Sequence, residues 1–177
     1  MVSFSDPQKN IDQCEITSGM TIADLGAGSG FYTVEAARAL HSSGKVYAVD
    51  VQKDLLVRLK NAAQKQGLHN VEVIWGDLET PGGTHIKDNS VDLVLVCNIM
   101  FQLVNKKAAI TEIKRILASG GKVLVVDWKD SFGGIGPRKD HIFSPTDAEN
   151  LFEAQGFSVY KEIQAGSHHY GFLYKKL

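Results

Sequence analysis

Short apolar runs alternate with longer amphipathic runs along almost the whole chain, and this order constrains the fold more than any other feature. Met20 to Leu25, Lys45 to Val51, Val71 to Trp75, Val91 to Cys97 and Lys122 to Trp128 read as strands. Each is short, and several are rich in β-branched residues. Val91 to Cys97 is almost continuously apolar, as expected of a strand covered on both faces. Between the strands, Phe31 to His41, Lys53 to Gln66 and Asn105 to Leu117 read as helices. In the second of these, Leu55, Leu56, Leu59, Ala62 and Ala63 share one side, and Gly67 closes it. In the third, Ile110, Ile113, Ile116 and Leu117 fall in helical phase, and Gly120-Gly121 ends it.

Strands that alternate with helices make a parallel sheet with helices on both faces. Two further helices are predicted from their start signals. Asp6-Pro7 opens one through Cys14, and Ser144-Pro145 opens another that ends near Gly156. Phe157 to Ile163 and Tyr170 to Tyr174 read as a C-terminal hairpin, which adds an antiparallel strand. The expectation is one α/β domain over residues 1–177: a doubly wound, Rossmann-like, seven-stranded and mostly parallel sheet. The 177 residues suit one domain with a sizeable core. Sheets of this kind bind ligands beyond the carboxyl ends of their strands, where the strand order reverses.

The first such loop is Asp24-Leu25-Gly26-Ala27-Gly28-Ser29-Gly30. Alternate glycines let the backbone turn tightly and approach a ligand. Asp50 ends the second strand, 20 residues after Gly30 (50 minus 30). That spacing suits a carboxylate reaching ribose hydroxyls in a nucleotide-binding βαβ unit. A dinucleotide fingerprint would place its third glycine at position 31, which is Phe31. Asp24 would repel a pyrophosphate and suits a ligand carrying ammonium and sulfonium groups. These residues favour S-adenosylmethionine over NAD or FAD.

The run Ile22 to Thr33 resembles motif I of class I S-adenosylmethionine-dependent methyltransferases. Tyr47-Ala48-Val49-Asp50 resembles the acidic second motif of that family, and Trp75-Gly76-Asp77 the segment that meets adenine. Val91 to Leu103 resembles the fourth-strand motif, and Arg115 to Val123 the "RxLxxGG" turn into strand five. The UbiE-like, type 11 subgroup is the nearest in character. Its frequent His pair after strand four is replaced here by Phe101-Gln102.

The resemblance implies a role for each position. Gly26, Ala27, Gly28 and Gly30 would line the methionine part of the cofactor, with Asp24 nearby. Asp50 would hold the ribose, beside Val51. Asp77 would take the adenine amino group, with Gly76 beside it and Leu78 packed on the ring. The backbone of Asn98 would receive the ammonium, and Tyr32 the carboxylate. Asp92 reads as structural or capping, and Trp75 as core.

A methylating enzyme of this kind need not advertise a catalytic base. The acceptor-side candidates are Asn98, Gln102, Asp127, Arg138, His141, His168 and His169. The turn Gln164 to Ser167 and the loop Lys129 to Phe143 should lie at the cofactor edge, with at most one of His168 and His169 facing a pocket. Gly133, Gly134, Gly136 and Pro137 imply a mobile loop. Asn98-Ile99-Met100-Phe101 lacks the Pro-Pro pair of amino-directed nucleic-acid methyltransferases. A small-molecule acceptor is expected first and a protein acceptor second. A module that binds the cofactor without turnover is a further alternative.

The net charge of −1 gives no pull toward nucleic acid or an anionic membrane. Two cysteines, Cys14 and Cys97, cannot by themselves build a four-ligand zinc site and read as reduced thiols, so no metal is expected. There is no membrane span and no leader pattern, and the expected compartment is the cytoplasm.

Overall fold

A computed structural model describes residues 5–132 and 134–177. Within them, seven strands join in one sheet of order β3-β2-β1-β4-β5-β7-β6. The strands are β1 (Thr21–Leu25), β2 (Lys45–Asp50), β3 (Val71–Trp75), β4 (Val91–Cys97), β5 (Leu117–Trp128), β6 (Phe157–Glu162) and β7 (His169–Lys176). The pairings among β1 to β5 are parallel, whereas β7 runs antiparallel between β5 and β6. This is the expected doubly wound architecture with its C-terminal hairpin.

The helices are α1 (Pro7–Asp12), α2 (Phe31–Ala39), α3 (Lys53–Lys65), α4 (Lys106–Ile116) and α5 (Pro145–Ala154). Three begin as their sequences require. The side chains of Asp6, Asn105 and Ser144 accept hydrogen bonds from the backbone N–H groups of Lys9, Ala108 and Asp147. Each satisfies a donor that the first helical turn leaves open.

The apolar residues divide between the two faces of the sheet. Val94, Val96, Val123 and Val125 pack with Ile110, Ile113, Phe152 and Tyr174 on one side. Ile22, Leu93, Leu95 and Leu124 pack with Ala36, Leu40 and Leu173 on the other. Period-two alternation produces this split, and the continuous apolar run of β4 serves both sides. The Phe152 and Tyr174 rings stack at 4.5 Å and join α5 to β7.

Several boundaries differ from the sequence reading. α1 stops at Asp12 instead of Cys14, and α2 at Ala39 instead of His41. His41 and Ser42 both take positive φ, which no helix continues. β5 starts at Leu117, five residues before Lys122. Leu117 already pairs with Val91, and the pairing then shifts register, so Gly120-Gly121 lies within an irregular strand. Trp75 is not core. It lies on edge strand β3 and is 57% exposed. Its indole N–H donates to the Val51 carbonyl at 3.1 Å, and the Lys53 ammonium sits 4.0 Å over its ring. Asp92 is structural as expected, accepting from the Thr21 N–H at 2.8 Å.

Candidate functional site

Strand order reverses between β1 and β4, where crossovers leave toward opposite edges. The carboxyl ends of β1, β2 and β4 surround a cleft of about 680 Å³ at that point. The volume is in the range of a pocket for a nucleoside-sized ligand. Of the cofactor residues expected from sequence, Asp24, Gly26, Ala27, Gly28, Tyr32, Asp50, Val51, Gly76, Asp77, Leu78 and Asn98 line the cleft, and Gly30 does not.

The glycines have different reasons to be there. A Cβ on Gly26 would lie 1.9 Å from Ile99 Cδ1, so this glycine lets the loops after β1 and β4 close together. Gly30 is the αL N-cap of α2, and a Cβ there would lie 2.5 Å from Leu59 Cγ. Its job is packing α2 against α3. A Cβ on Gly28 would meet only the Gly26 carbonyl, at 3.9 Å, so room remains beside that backbone.

Asp50 fixes the same loop. One carboxylate oxygen accepts from the Gly28 N–H and the other from the Gln52 N–H, both at 2.8 Å. Carboxylate oxygens have further lone pairs, so both remain able to accept from a ligand. Asp24 is buried at the end of β1 and accepts from the Thr33 hydroxyl at 2.6 Å. Burial pushes its carboxyl up to about 6. Asp77 accepts from the Glu79 N–H at 2.9 Å and the Thr80 hydroxyl at 3.1 Å, which bends the loop after β3.

Asn98 follows β4 with φ +58°, a left-handed conformation that Asn tolerates better than most residues. Its N–H donates to the Val126 carbonyl at 2.8 Å, and its own carbonyl accepts from the Gln102 amide at 3.0 Å. The side-chain Oδ1 is buried with no partner among the described residues. A buried acceptor in that state favours a ligand donor beside it. Tyr32 lies under α1: its hydroxyl accepts from the Asn10 amide at 2.7 Å and lies 3.0 Å from the Ser5 hydroxyl.

The acceptor candidates scatter. Asn98 and Gln102 line the cleft. Asp127, at the end of β5, accepts from the Trp128 and Phe101 N–H groups and so ties the 3-10 turn Met100–Gln102 to the sheet. Burial pushes its carboxyl up to about 6. Arg138 and His141 are exposed outside the cleft, with Arg138 paired to Asp140 at 2.9 Å. The Gln164–Ser167 turn lies at the cleft edge, because Trp128 pairs with His169 at the top of β5 and β7. Neither histidine lines the cleft. His168 Nδ1 lies 2.6 Å from Asp130, and its ring stacks on Phe132 at 4.4 Å. His169 is buried against Trp128, with ring centroids 4.2 Å apart.

Within the loop 129–143, Phe132 and Ile135 exchange backbone hydrogen bonds of 3.2 and 2.8 Å, and Gly136 packs on Trp128. These contacts tie part of the loop to β5; Gly133 lies outside the described residues. The sequence reading missed Ser5, Pro7, Phe31, Gln52, Glu79, Cys97, Ile99 and Leu103 in the lining. Phe31, Cys97, Ile99 and Leu103 lie within the recognised motifs and Gln52 and Glu79 close after two of them, so neighbourhood was their only signal, whereas Ser5 and Pro7 had none. Burial raises the Cys97 thiol well above its usual range and keeps it protonated.

The electrostatics of the cleft are one-sided. Among the described residues its lining holds four carboxylates, Asp24, Asp50, Asp77 and Glu79, and no lysine, arginine or histidine. Such a lining opposes a pyrophosphate and suits a cation that also offers hydroxyl and amino donors.

The model of a methyltransferase domain matches residues 16–166. The chain belongs to the methyltransferase-domain family. The match spans the strands and loops that build the cleft. One relative of this methyltransferase domain is the ubiquinone/menaquinone biosynthesis C-methyltransferase UbiE of Hahella chejuensis. It is 28% identical over 119 residues, 67% of this chain and 47% of that protein. Another is the aklanonic acid methyltransferase DauC of a Streptomyces species, 28% identical over 69% of this chain and 55% of that protein. The chain thus spans about half the length of the curated relatives it matches. A SAM-dependent methyltransferase from Aquifex aeolicus shares the fold with a TM-score of 0.88. It is 26% identical, and the likeness covers 98% of this chain and 91% of that one. No helix among the described residues is long and apolar enough to cross a membrane.

Proposed function

We propose that this chain is an S-adenosylmethionine-dependent methyltransferase domain acting on a small-molecule acceptor in the cytoplasm. The observation that carries the reading is the acidic cleft at the strand-order reversal, without a basic residue among the described lining. UbiE and DauC, whose names describe small-molecule methylation, support the acceptor class.

The residues present fit the cofactor. Asp50 offers carboxylate lone pairs to vicinal hydroxyls, and Asp77 with Leu78 flanks the place for adenine. Gly28 leaves space for the chain of the amino acid. Asp24 balances positive charge, and the Asn98 amide oxygen and carbonyl accept from an ammonium. When bound, the sulfonium supplies an already activated methyl group.

The protein then has to orient the acceptor and keep water out. Asn98 and Gln102, held by the 3-10 turn that Asp127 anchors, lie where an acceptor would approach. The carboxyl of Asp127 is held by backbone N–H groups, so its part is to fix that turn. The test is an assay with methyl-labelled S-adenosylmethionine against pooled small metabolites. Label should move to a small product with stoichiometric release of S-adenosylhomocysteine. Binding of the cofactor with no transfer to any pool, and transfer to protein instead, would each overturn the acceptor class proposed here.

A further inference from the structure

Glu112 lies on α4, away from the cleft, yet the residue is 2% exposed and its carboxylate accepts five hydrogen bonds. Two come from Arg115, from Nε at 2.8 Å and from a terminal nitrogen at 2.7 Å. Three come from the loop after β3: the Gly82 N–H at 2.9 Å, the Thr84 N–H at 3.2 Å and the Thr84 hydroxyl at 2.6 Å. Burial alone would raise this carboxyl, but the Arg115 guanidinium and Thr84 outweigh it and hold it at about 2. It is therefore a carboxylate at any working pH. Arg115 also donates to the Ile86 carbonyl at 2.8 Å and pairs with Asp88 at 2.5 Å.

The loop held in this way carries Asp77. The Gly83 carbonyl accepts from the Asp77 N–H at 3.0 Å. The approach is so close that a Cβ on Gly83 would lie 2.2 Å from the Asp77 carbonyl oxygen. A second tie runs from Glu79, which accepts from the Asn105 N–H just before α4. The same helix follows the segment with Asn98 and Gln102. α4 thus holds the Asp77 loop at two points and also receives the loop after β4.

We propose that Glu112, locked by Arg115, is a positioning residue for the adenosyl end of the cleft, acting through Thr84, Gly82 and Gly83 on Asp77. This rests on the reading that Asp77 meets adenine. A buried ion pair is poor evidence of stability, because apolar residues of similar volume often pack as well. Its value here lies in the fixed geometry of five directed bonds at the root of a binding loop.

A double-mutant cycle tests the chain of contacts. Calorimetry with S-adenosylhomocysteine would compare the whole chain with Asp77→Ala, Glu112→Gln and the double variant, with circular dichroism to check folding. Glu112→Gln is expected to weaken binding about ten-fold in the native background and less than about two-fold in Asp77→Ala. A role confined to general stability would give equal factors in both backgrounds. If Glu112→Gln does not fold, Thr84→Val decides, since it leaves the Glu112–Arg115 pair intact. It should weaken binding about three-fold, again only when Asp77 is present. If Asp77→Ala weakens binding while Glu112→Gln (or Thr84→Val) has no effect or multiplies with it, the positioning role is wrong. If Asp77→Ala itself leaves affinity unchanged, the adenine reading has failed, and the proposed role with it.

Discussion

Asp24 and Asp50 end neighbouring strands and answer to different neighbours. Asp50 organises backbone N–H groups of the glycine loop and of the segment leading to α3. Asp50→Ala should weaken S-adenosylhomocysteine by about 2 kcal/mol, through lost charge-assisted bonds and a looser Gly28. Calorimetry on folded variant protein checks this, and an unchanged affinity would remove Asp50 from the ligand. Asp24 is expected to set the pH dependence of cofactor binding. Its carboxyl sits at about 6 against an ordinary 3.8, so the free protein holds a proton there under mild acid. A cationic ligand favours the ionised form. Affinity for S-adenosylmethionine should therefore fall as pH drops through about 6, by at most one proton per site. Asp24→Asn should flatten that profile. An affinity of the native protein that is level from about pH 7 to about pH 5 would contradict the assignment.

At the scale of elements, α2 shows what the glycine pattern conceals. Gly26, Gly28 and Gly30 form one motif in the sequence, but Gly30 answers to Leu59 on another helix. No local signal separates a glycine kept for a ligand from one kept for a neighbour 29 residues away (59 minus 30). Gly30→Ala should destabilise the fold by about 2 to 4 kcal/mol, combining left-handed strain with a clash, as urea unfolding would measure. A loss under about 0.5 kcal/mol would show that Leu59 gives way.

The strand–helix order was legible because periodicity and caps are local. The start of β5 and the exposure of Trp75 were not, since they depend on register against β4 and on which strand lies at the sheet edge. The acceptor side was legible only in part. β-Pairing puts His168 and His169 at the right edge, but their partners are Asp130, Phe132 and Trp128. His168→Ala should free the loop 129–143 and increase its protease susceptibility, with cofactor affinity nearly unchanged. Unaltered digestion would mean that the turn formed by Phe132 and Ile135 holds the loop alone.

Over the whole molecule, buried titratable groups on the sheet oppose one another. Burial lowers His169 from 6.5 to about 4. The folded state therefore favours the neutral ring, and this contribution is complete above 6.5 and lost as pH falls toward 4, by at most about 3 kcal/mol. Asp24 and Asp127 act the other way, since their raised values favour the folded state as acid is added. His169→Leu should therefore lose less stability between pH 6.5 and 4 than the native chain, in urea titrations at each pH. An identical loss would place the acid sensitivity elsewhere.

The acidic cleft at the strand-order reversal suits an adenosyl cation and not a dinucleotide. Titration of the whole chain with S-adenosylmethionine, S-adenosylhomocysteine and NADH in one calorimeter tests it most directly. One site with micromolar affinity for both adenosyl ligands is expected, about −7 to −8 kcal/mol, with no measurable heat from NADH. Binding of NADH with none of either adenosyl ligand would contradict it.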